Sequence, residues 1–171
     1  MAAQRQLESM GLESIRFVGF DIDGVFTDGR IYLADNGVES KAFHIQDGYG
    51  IRQLLEFGIE VAVISGRRSG AVDTRMAELG VEHVILGVDD KVGAFASLIG
   101  KLGIDAAHCA FVGDDLPDLP LLERVGLPIA VANAVAGVRE ACDYTTRTPG
   151  GSGAVREVCE LILAAHRAAR S

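Results

Sequence analysis

The stretch FVGFDIDG, residues 17–24, decides the fold of this chain. Its apolar residues run without polar alternation, which is typical of a strand buried on both faces of a parallel sheet. Asp21 and Asp23 then follow one residue apart, and Gly24 stands behind them. Because neighbouring carboxylates repel, two of them at the end of a buried strand indicate a site that uses negative charge.

The rest of the chain alternates apolar runs with helical segments. The predicted strands are residues 15–22, 60–65, 82–86, 108–112, 128–131 and 143–146, and the predicted helices are residues 47–57, 69–79, 90–102, 116–125, 135–141 and 154–168. This alternation predicts an α/β fold, a Rossmann-like parallel sheet with helices on both faces. A length of 171 residues suits one domain, residues 1–171, with a sizeable core.

One segment, residues 29–44, interrupts the alternation. Two strand-like runs, residues 30–34 and 40–44, surround Asn36-Gly37, a dipeptide that favours hairpin turns. The predicted β-hairpin would expose apolar side chains, namely Ile31, Tyr32, Leu33 and Phe43. A hairpin alone is marginally stable, so we expect it to lie against another subunit in a homo-oligomer.

Composition narrows the possible partners and the compartment. The net charge of −8 argues against nucleic acid or an anionic membrane as the main partner. No apolar run approaches the ~20 residues of a membrane span, and the first residues do not resemble a signal peptide. Three scattered cysteines without a CxxC motif suit free thiols in a reducing compartment, so we expect a cytoplasmic protein.

Polar side chains follow several of the predicted strands. They are Asp21 and Asp23 after the first strand, Ser65, Gly66 and Arg67 after the second, Lys91 at a helix start, and Asp114, Asp115 and Asp118 after the HCAFV strand. In an open parallel sheet the carboxyl ends of the strands form the ligand crevice. Clustered carboxylates favour a hard cation such as Mg²⁺, whereas Zn²⁺ would require histidines or cysteines that do not cluster here. A carboxylate there could also serve as a nucleophile toward phosphorus.

Four segments occur in a characteristic order: DIDGVFTD (21–28), SGR (65–67), Lys91 and GDDLPD (113–118). In this order they resemble the haloacid dehalogenase superfamily of phosphatases, along nearly the whole chain. The resemblance implies that Asp21 is the nucleophile and a Mg²⁺ ligand. It makes Asp23 the general acid/base, with its backbone carbonyl on the metal, and Asp114 the third ligand.

The same resemblance implies roles for the remaining motif residues. Ser65 and Lys91 would hold the phosphoryl group, with Gly66 and Thr27 also at the substrate. Asp115 and Asp118 would support the metal or orient Lys91. Simpler roles also stay open: helix N-terminal charges for Asp115 and Asp118, a helix N-cap for Ser65, and surface positions for Lys91 and Arg67.

A finer resemblance concerns the subfamily without a cap domain, since only the hairpin fits between Asp28 and Ser65. The stretches DGRIY, ESKAFHIQDGYGI, SGRRS, VGDDLPDLP and GGSGAVREVCELIL are similar to those of 3-deoxy-D-manno-octulosonate 8-phosphate phosphatases. That family hydrolyses an eight-carbon sugar acid phosphate on the route to lipopolysaccharide, as tetramers built through the hairpin. By this resemblance we expect a homotetramer. We also expect Arg67 to bind the carboxylate of the sugar phosphate, because a guanidinium pairs with a carboxylate through two hydrogen bonds.

Three other functions remain open at this point. One is a phosphatase of a nine-carbon sugar acid 9-phosphate; those enzymes place an acidic residue where this chain has Arg67. Another is a phospho-receiver signalling domain, whose accepting aspartate would end a middle strand, whereas here those strands end near Ser65 and Gly87. A non-catalytic scaffold is the third, although every motif residue is present.

Overall fold

A six-stranded parallel sheet forms the centre of the computed structural model, which describes residues 11–171. Its strands are β1 (Phe17–Phe20), β4 (Glu60–Ser65), β5 (His83–Leu86), β6 (Cys109–Gly113), β7 (Leu127–Ala130) and β8 (Tyr144–Thr145). They lie in the order β5-β4-β1-β6-β7-β8, with every neighbouring pair parallel. The predicted α/β fold is confirmed, while residues 1–10 of the predicted domain lie outside the described residues.

Helices cover the sheet. They are α1 (Ile45–Phe57), α2 (Gly70–Leu79), α3 (Lys91–Leu102), α4 (Leu119–Leu122), α5 (Ala136–Ala141) and α6 (Ala154–Ala169). The predicted single helix over 116–125 is wrong, because a 3₁₀ turn at Leu116–Asp118 precedes the short α4. Pro117 and Pro120 explain the break, since proline lacks an N–H and disfavours helical backbone in the residue before it.

The predicted hairpin is present but shorter than expected. β2 (Tyr32–Leu33) pairs antiparallel with β3 (Glu39–Ser40), and Gly37 adopts φ 80° at the turn. Ile31, Tyr32 and Leu33 are exposed as predicted, with Leu33 68% exposed. The prediction for Phe43 is wrong, because its ring is half-buried against the hydrophobic core.

The connection between strands sets the position of the crevice. From β1 the chain moves outward to β4 and β5, and then returns to the other side of β1 as β6. The strand order therefore reverses between β1 and β6, which is where open α/β sheets bind ligands. Asp21 directly follows β1 and Asp114 directly follows β6, so the two carboxylates flank this point.

One hydrophobic core supports the sheet on both faces. Phe17, Phe20, Phe26, Phe95 and Phe111 are all buried within it. The rings of Phe20 and Phe26 meet edge to face at 5.4 Å between centroids, which fixes the loop that carries the two motif aspartates. Within residues 11–171 no helix is long and apolar enough to cross a membrane.

Candidate active site

Asp21, Lys91 and Asp118 form a buried ion-paired group at the carboxyl edge of the sheet. The Nζ atom of Lys91 lies 3.0 Å from Asp21 Oδ1 and 2.7 Å from Asp118 Oδ1. All three side chains are buried. Lys91 begins α3, where the helix dipole disfavours a cation, so these carboxylates are what stabilise it there. The surface alternative for Lys91 is therefore wrong.

Asp114 completes the carboxylate cluster from the neighbouring strand. One oxygen from each of Asp21, Asp114 and Asp118 lies within 4.8 Å of the others. Asp118 also accepts the backbone N–H of Asp114 at 3.0 Å, which ties the loop after β6 to the cluster. Asp118 thus contacts both Lys91 and the Asp114 loop, a position suited to its expected supporting role.

Gly24 allows the loop after β1 to approach Asp114 closely. Its φ of +90° lies in the left-handed region that favours glycine. A Cβ at this position would lie 1.9 Å from Asp114 Oδ2. The glycine behind the two aspartates is therefore required both by its backbone conformation and by the carboxylate beside it.

The cluster carries excess negative charge, since among residues 11–171 the carboxylates of Asp21, Asp114 and Asp118 face the ammonium of Lys91. Burial and the charge of Asp118 raise the pKa of Asp21 to about 6, even though Lys91 opposes the rise. Burial and the charge of Asp21 raise the pKa of Asp114 to about 7. Burial disfavours the charged form of Lys91, but Asp21 and Asp118 outweigh it and raise the pKa of Lys91.

These observations fit a magnesium ion. The donors are carboxylate oxygens, which Mg²⁺ prefers, and a divalent cation would offset the surplus charge. Asp21 and Asp114 offer side-chain oxygens from the two strands that flank the crevice. Asp23 is expected to contribute its backbone carbonyl, while its carboxylate is not one of the three clustered groups.

The carboxylate of Asp23 belongs to a second group of charges. Lys41 binds Asp23 Oδ1, and its Nζ lies 2.9 Å from Oε1 of Glu39. Arg67 lies 2.5 Å from Oε2 of Glu39 and 3.8 Å from Oδ2 of Asp23. Within the described part of the chain this group pairs two carboxylates with two cations, in contrast to the cluster at Asp21.

Sequence reasoning missed Lys41 and Glu39 as site residues: both lie in the hairpin, outside the four motifs, and the similar stretch ESKAFHIQDGYGI that contains them gave neither side chain a role. The side chain of Lys41 is only 1% exposed, whereas that of Arg67 is 48% exposed. Burial opposes the charge of Lys41, but Asp23 and Glu39 overcome it and raise the pKa of the ammonium. A buried ammonium held by a motif aspartate is the signal that the structure adds.

Ser65 and Gly66 lie where the sequence placed them, at the end of β4 beside β1. Ser65 is buried, and its Oγ accepts the backbone N–H of Arg67 at 3.3 Å. The alternative of a helix N-cap is wrong for Ser65, because α2 starts only at Gly70. At Gly66 a Cβ would meet nothing closer than 3.7 Å, so packing does not require glycine there.

Thr27 and Asp115 have local structural contacts. The buried Thr27 Oγ1 accepts the N–H groups of Gly24 and Gly29 at 3.2 Å each, which shapes the loop after β1. Asp115 is exposed and accepts the N–H of Leu116 at 2.8 Å, as an N-cap of the 3₁₀ turn. Neither side chain contacts the carboxylate cluster, so the expected substrate role of Thr27 has no support in these contacts.

Asn133 is a further residue that sequence reasoning missed. Its Nδ2 donates to the carbonyl of Gly24 at 3.0 Å, and its Oδ1 accepts from the N–H of Gly150 at 2.6 Å. At Gly150 a Cβ would lie 1.8 Å from the Gly24 carbonyl oxygen. The segment GGSG therefore packs its backbone directly on the loop that carries Asp21 and Asp23.

Comparisons with known proteins agree with this geometry. Residues 87–158 match the family of haloacid dehalogenase-like hydrolases. The chain is 50% identical over 153 residues to the 3-deoxy-D-manno-octulosonate 8-phosphate phosphatase of Escherichia coli K12, covering 90% of this chain and 81% of that protein. The chain belongs to this family of haloacid dehalogenase-like phosphatases.

Solved structures of this phosphatase family share the fold. The Yersinia pestis 3-deoxy-D-manno-octulosonate 8-phosphate phosphatase has a TM-score of 0.92 at 42% identity, covering 95% of this chain and 87% of that one. The Moraxella catarrhalis enzyme, solved with magnesium, phosphate and KDO, has a TM-score of 0.91 at 45% identity, covering 96% and 93%. As in the capless subfamily, residues 29–64 of this chain hold the hairpin, α1 and most of β4, with no inserted domain.

Proposed function

We propose that this chain is a magnesium-dependent phosphatase that hydrolyses 3-deoxy-D-manno-octulosonate 8-phosphate to the free sugar acid and phosphate. The observation that carries the proposal is the Asp21–Asp114–Asp118 cluster with Lys91, in a chain 50% identical to an enzyme of that name. The product is a lipopolysaccharide precursor, and we propose that the reaction takes place in the cytoplasm. The whole chain, residues 1–171, acts as one phosphatase domain.

Asp21 is the proposed nucleophile. Lys91 holds its Oδ1 at 3.0 Å, which leaves the other oxygen to attack phosphorus and form an aspartyl phosphate. Mg²⁺, when bound by Asp21, Asp114 and the backbone carbonyl of Asp23, supplies positive charge against the carboxylates and the phosphoryl oxygens. Lys91 and the hydroxyl of Ser65 add donors toward the phosphoryl group, and the backbone at Gly66 leaves it room.

Asp23 is the proposed general acid and base. It protonates the leaving oxygen of the sugar in the first step and takes a proton from water in the second. Its carboxylate contacts Lys41 rather than the cluster around Asp21. The proton carrier therefore belongs to a different group of charges from the nucleophile.

A direct assay tests the reaction. Purified protein is incubated with a panel of sugar phosphates, and phosphate release is measured with and without Mg²⁺. We expect turnover of the eight-carbon sugar acid phosphate, loss of turnover in chelator, and none in Asp21→Asn. Strong activity of Asp21→Asn, or full activity in chelator, would contradict the mechanism.

Arg67 is the proposed ligand of the substrate's carboxylate. In the structure its guanidinium pairs with Glu39, so a substrate carboxylate would have to replace Glu39 on the planar fork. Arg67→Ala should lower kcat/KM on the sugar acid phosphate by about 10- to 100-fold, because charge-assisted pairs contribute about 1.5–3 kcal/mol. An aryl phosphate without a carboxylate should be hardly affected, and equal losses on both substrates would refute the assignment.

The alternative substrate, a nine-carbon sugar acid phosphate, has less support. The relatives at 45–50% identity are 3-deoxy-D-manno-octulosonate 8-phosphate phosphatases, and Arg67 replaces the acidic residue expected in nine-carbon enzymes. The same relatives also leave the phospho-receiver and scaffold alternatives without support. The substrate panel should therefore include both sugar acids.

A homotetramer built through the hairpin, residues 29–44, is the proposed assembly. Ile31, Leu33 and Val38 are 49%, 68% and 57% exposed, an apolar surface that another subunit would cover. We expect Leu33→Asp to give smaller species in analytical ultracentrifugation, whereas Glu56→Asp on the exposed side of α1 should not. A wild-type chain that sediments as an active monomer would refute this assembly.

A further inference from the structure

We propose that Lys41, in the hairpin, is a positioning residue that fixes the carboxylate of Asp23 for proton transfer. The inference rests on the proposed function and concerns a residue outside the four motifs. The ammonium of Lys41 donates a hydrogen bond to Asp23 Oδ1.

Burial distinguishes Lys41 from an ordinary surface cation. Its side chain is 1% exposed, and a buried ammonium is tolerated only when opposite charges hold it. Asp23 and Glu39 supply those charges from two different elements, the loop after β1 and strand β3. The ammonium therefore has a fixed place between the hairpin and the loop of the nucleophile.

Arg67 does not serve the same purpose. Its Nε lies 3.8 Å from Asp23 Oδ2, beyond hydrogen-bond distance, and its side chain is half exposed. Lys41 alone, among the cations of residues 11–171, makes a hydrogen bond to the Asp23 carboxylate. Without it, only Arg67 at 3.8 Å would face the Asp23 carboxylate, and no hydrogen bond from a cation would fix the orientation of that side chain.

The two chemical steps depend on Asp23 in different ways. In the first step the bond from phosphorus to the sugar oxygen breaks while the bond to Asp21 forms, and Asp23 gives its proton to the leaving oxygen. In the second step water attacks phosphorus, Asp23 takes the proton of that water, and the bond to Asp21 breaks. An aryl phosphate such as p-nitrophenyl phosphate needs no proton in the first step, because nitrophenolate is a stable leaving anion.

This difference gives a test specific to positioning. Lys41→Met keeps the length of the side chain and removes the charge. We expect kcat/KM on the sugar phosphate to fall by about tenfold or more, a part of the roughly 10²–10⁴-fold that general acids contribute. On p-nitrophenyl phosphate kcat/KM should change by less than about threefold, while the slower second step should produce a burst of nitrophenolate.

Control variants separate this role from a structural one. Lys101→Met, at an exposed position in α3, should leave kcat/KM on both substrates unchanged. Lys41→Arg, which keeps the positive charge, should retain part of the kcat/KM that Lys41→Met loses. Circular dichroism and thermal melting check the fold. If Lys41→Met does not fold, the neutral Lys41→Gln takes its place with the same expectations. Lys41→Arg should then still lose more kcat/KM on the sugar phosphate than on p-nitrophenyl phosphate.

Equal losses of kcat/KM on both substrates, or a raised KM with unchanged kcat on the sugar phosphate, would overturn the role of Lys41. Those outcomes would leave the proposed function standing, because the wild-type protein would still hydrolyse the sugar phosphate. A wild-type protein without that activity would instead contradict the proposed function itself.

Discussion

Replacing Asp114 with asparagine should stabilise the metal-free protein while abolishing its response to Mg²⁺. Asp114 shares the crevice with two other carboxylates, and its pKa is raised from 3.8 to about 7, first by burial and then by Asp21. Each pH unit of such a rise corresponds to about 1.4 kcal/mol, so a dry site would be destabilised by about 4 kcal/mol. Because water reaches part of Asp114, we expect a gain of about 1–3 kcal/mol for Asp114→Asn at pH 8.

The pH dependence has a definite sign. The carboxyl of Asp114 binds its proton more tightly in the folded state than in the unfolded state, so folding takes up protons between about pH 4 and 7. The metal-free wild-type protein should therefore become less stable as the pH rises through this window. The advantage of Asp114→Asn should shrink as the pH falls below 7, because the folded wild-type chain is then protonated.

Urea denaturation followed by circular dichroism measures these differences, since the chain has no tryptophan for fluorescence. The matched control is Asp115→Asn, which changes the adjacent but exposed carboxylate and should not stabilise the protein. Saturating Mg²⁺ should stabilise wild type and reverse the order of the two proteins, because binding to the native state adds to its stability. A metal-free Asp114→Asn that is no more stable than wild type at pH 8 would refute the electrostatic argument.

Three further predictions concern the metal, the loop after β1 and the cap of α6. Mg²⁺ added after chelation should restore turnover. Ca²⁺ should restore turnover poorly, because the looser coordination of Ca²⁺ misplaces the nucleophile, and equal rates with the two ions would contradict this expectation. Gly24→Ala should retain the fold by circular dichroism but lose Mg²⁺ binding by calorimetry, since its Cβ would strike Asp114; unchanged binding would count against it. Asp47→Ala should lower the free energy of unfolding by about 1–2 kcal/mol, because buried Asp47 accepts the N–H of Arg156 in the first turn of α6 at 2.8 Å. The exposed Asp73→Ala serves as its control, and an equal effect of both would argue against capping.

The sequence predicted those site residues whose position follows from the sheet alone. Residues directly after parallel strands meet at one edge, so the convergence of Asp21, Ser65 and Asp114 required only correct strand boundaries. Lys91 could be added because it begins a helix near the same edge. Predicting these residues does not require knowing which side chains contact each other.

What the sequence did not reveal depends on tertiary partner choice. Lys41 and Asp23 are separated by 18 positions and meet only because the hairpin folds back over the loop after β1. Asn133 and Gly24 are 109 positions apart, and no periodicity connects them. For Thr27 the sequence suggested a contact that the structure does not show. Its motif position suggested a substrate contact, whereas its hydroxyl oxygen accepts hydrogen bonds from two N–H groups of its own loop.

The hairpin connects the proposed assembly to the proposed chemistry. Its outer residues, Leu33 and Val38, are exposed and apolar, while Glu39 and Lys41 reach into the site within a few residues of them. A capped phosphatase covers its crevice with an inserted domain, whereas here the hairpin brings Lys41 to Asp23. Packing of another subunit on the outer face would restrict the hairpin and, through Lys41, the carboxylate that moves the proton. Disrupting the assembly with Leu33→Asp should therefore lower kcat/KM on the sugar phosphate more than kcat/KM on an aryl phosphate. This is the pattern expected of Lys41→Met, although Leu33 touches no reacting group.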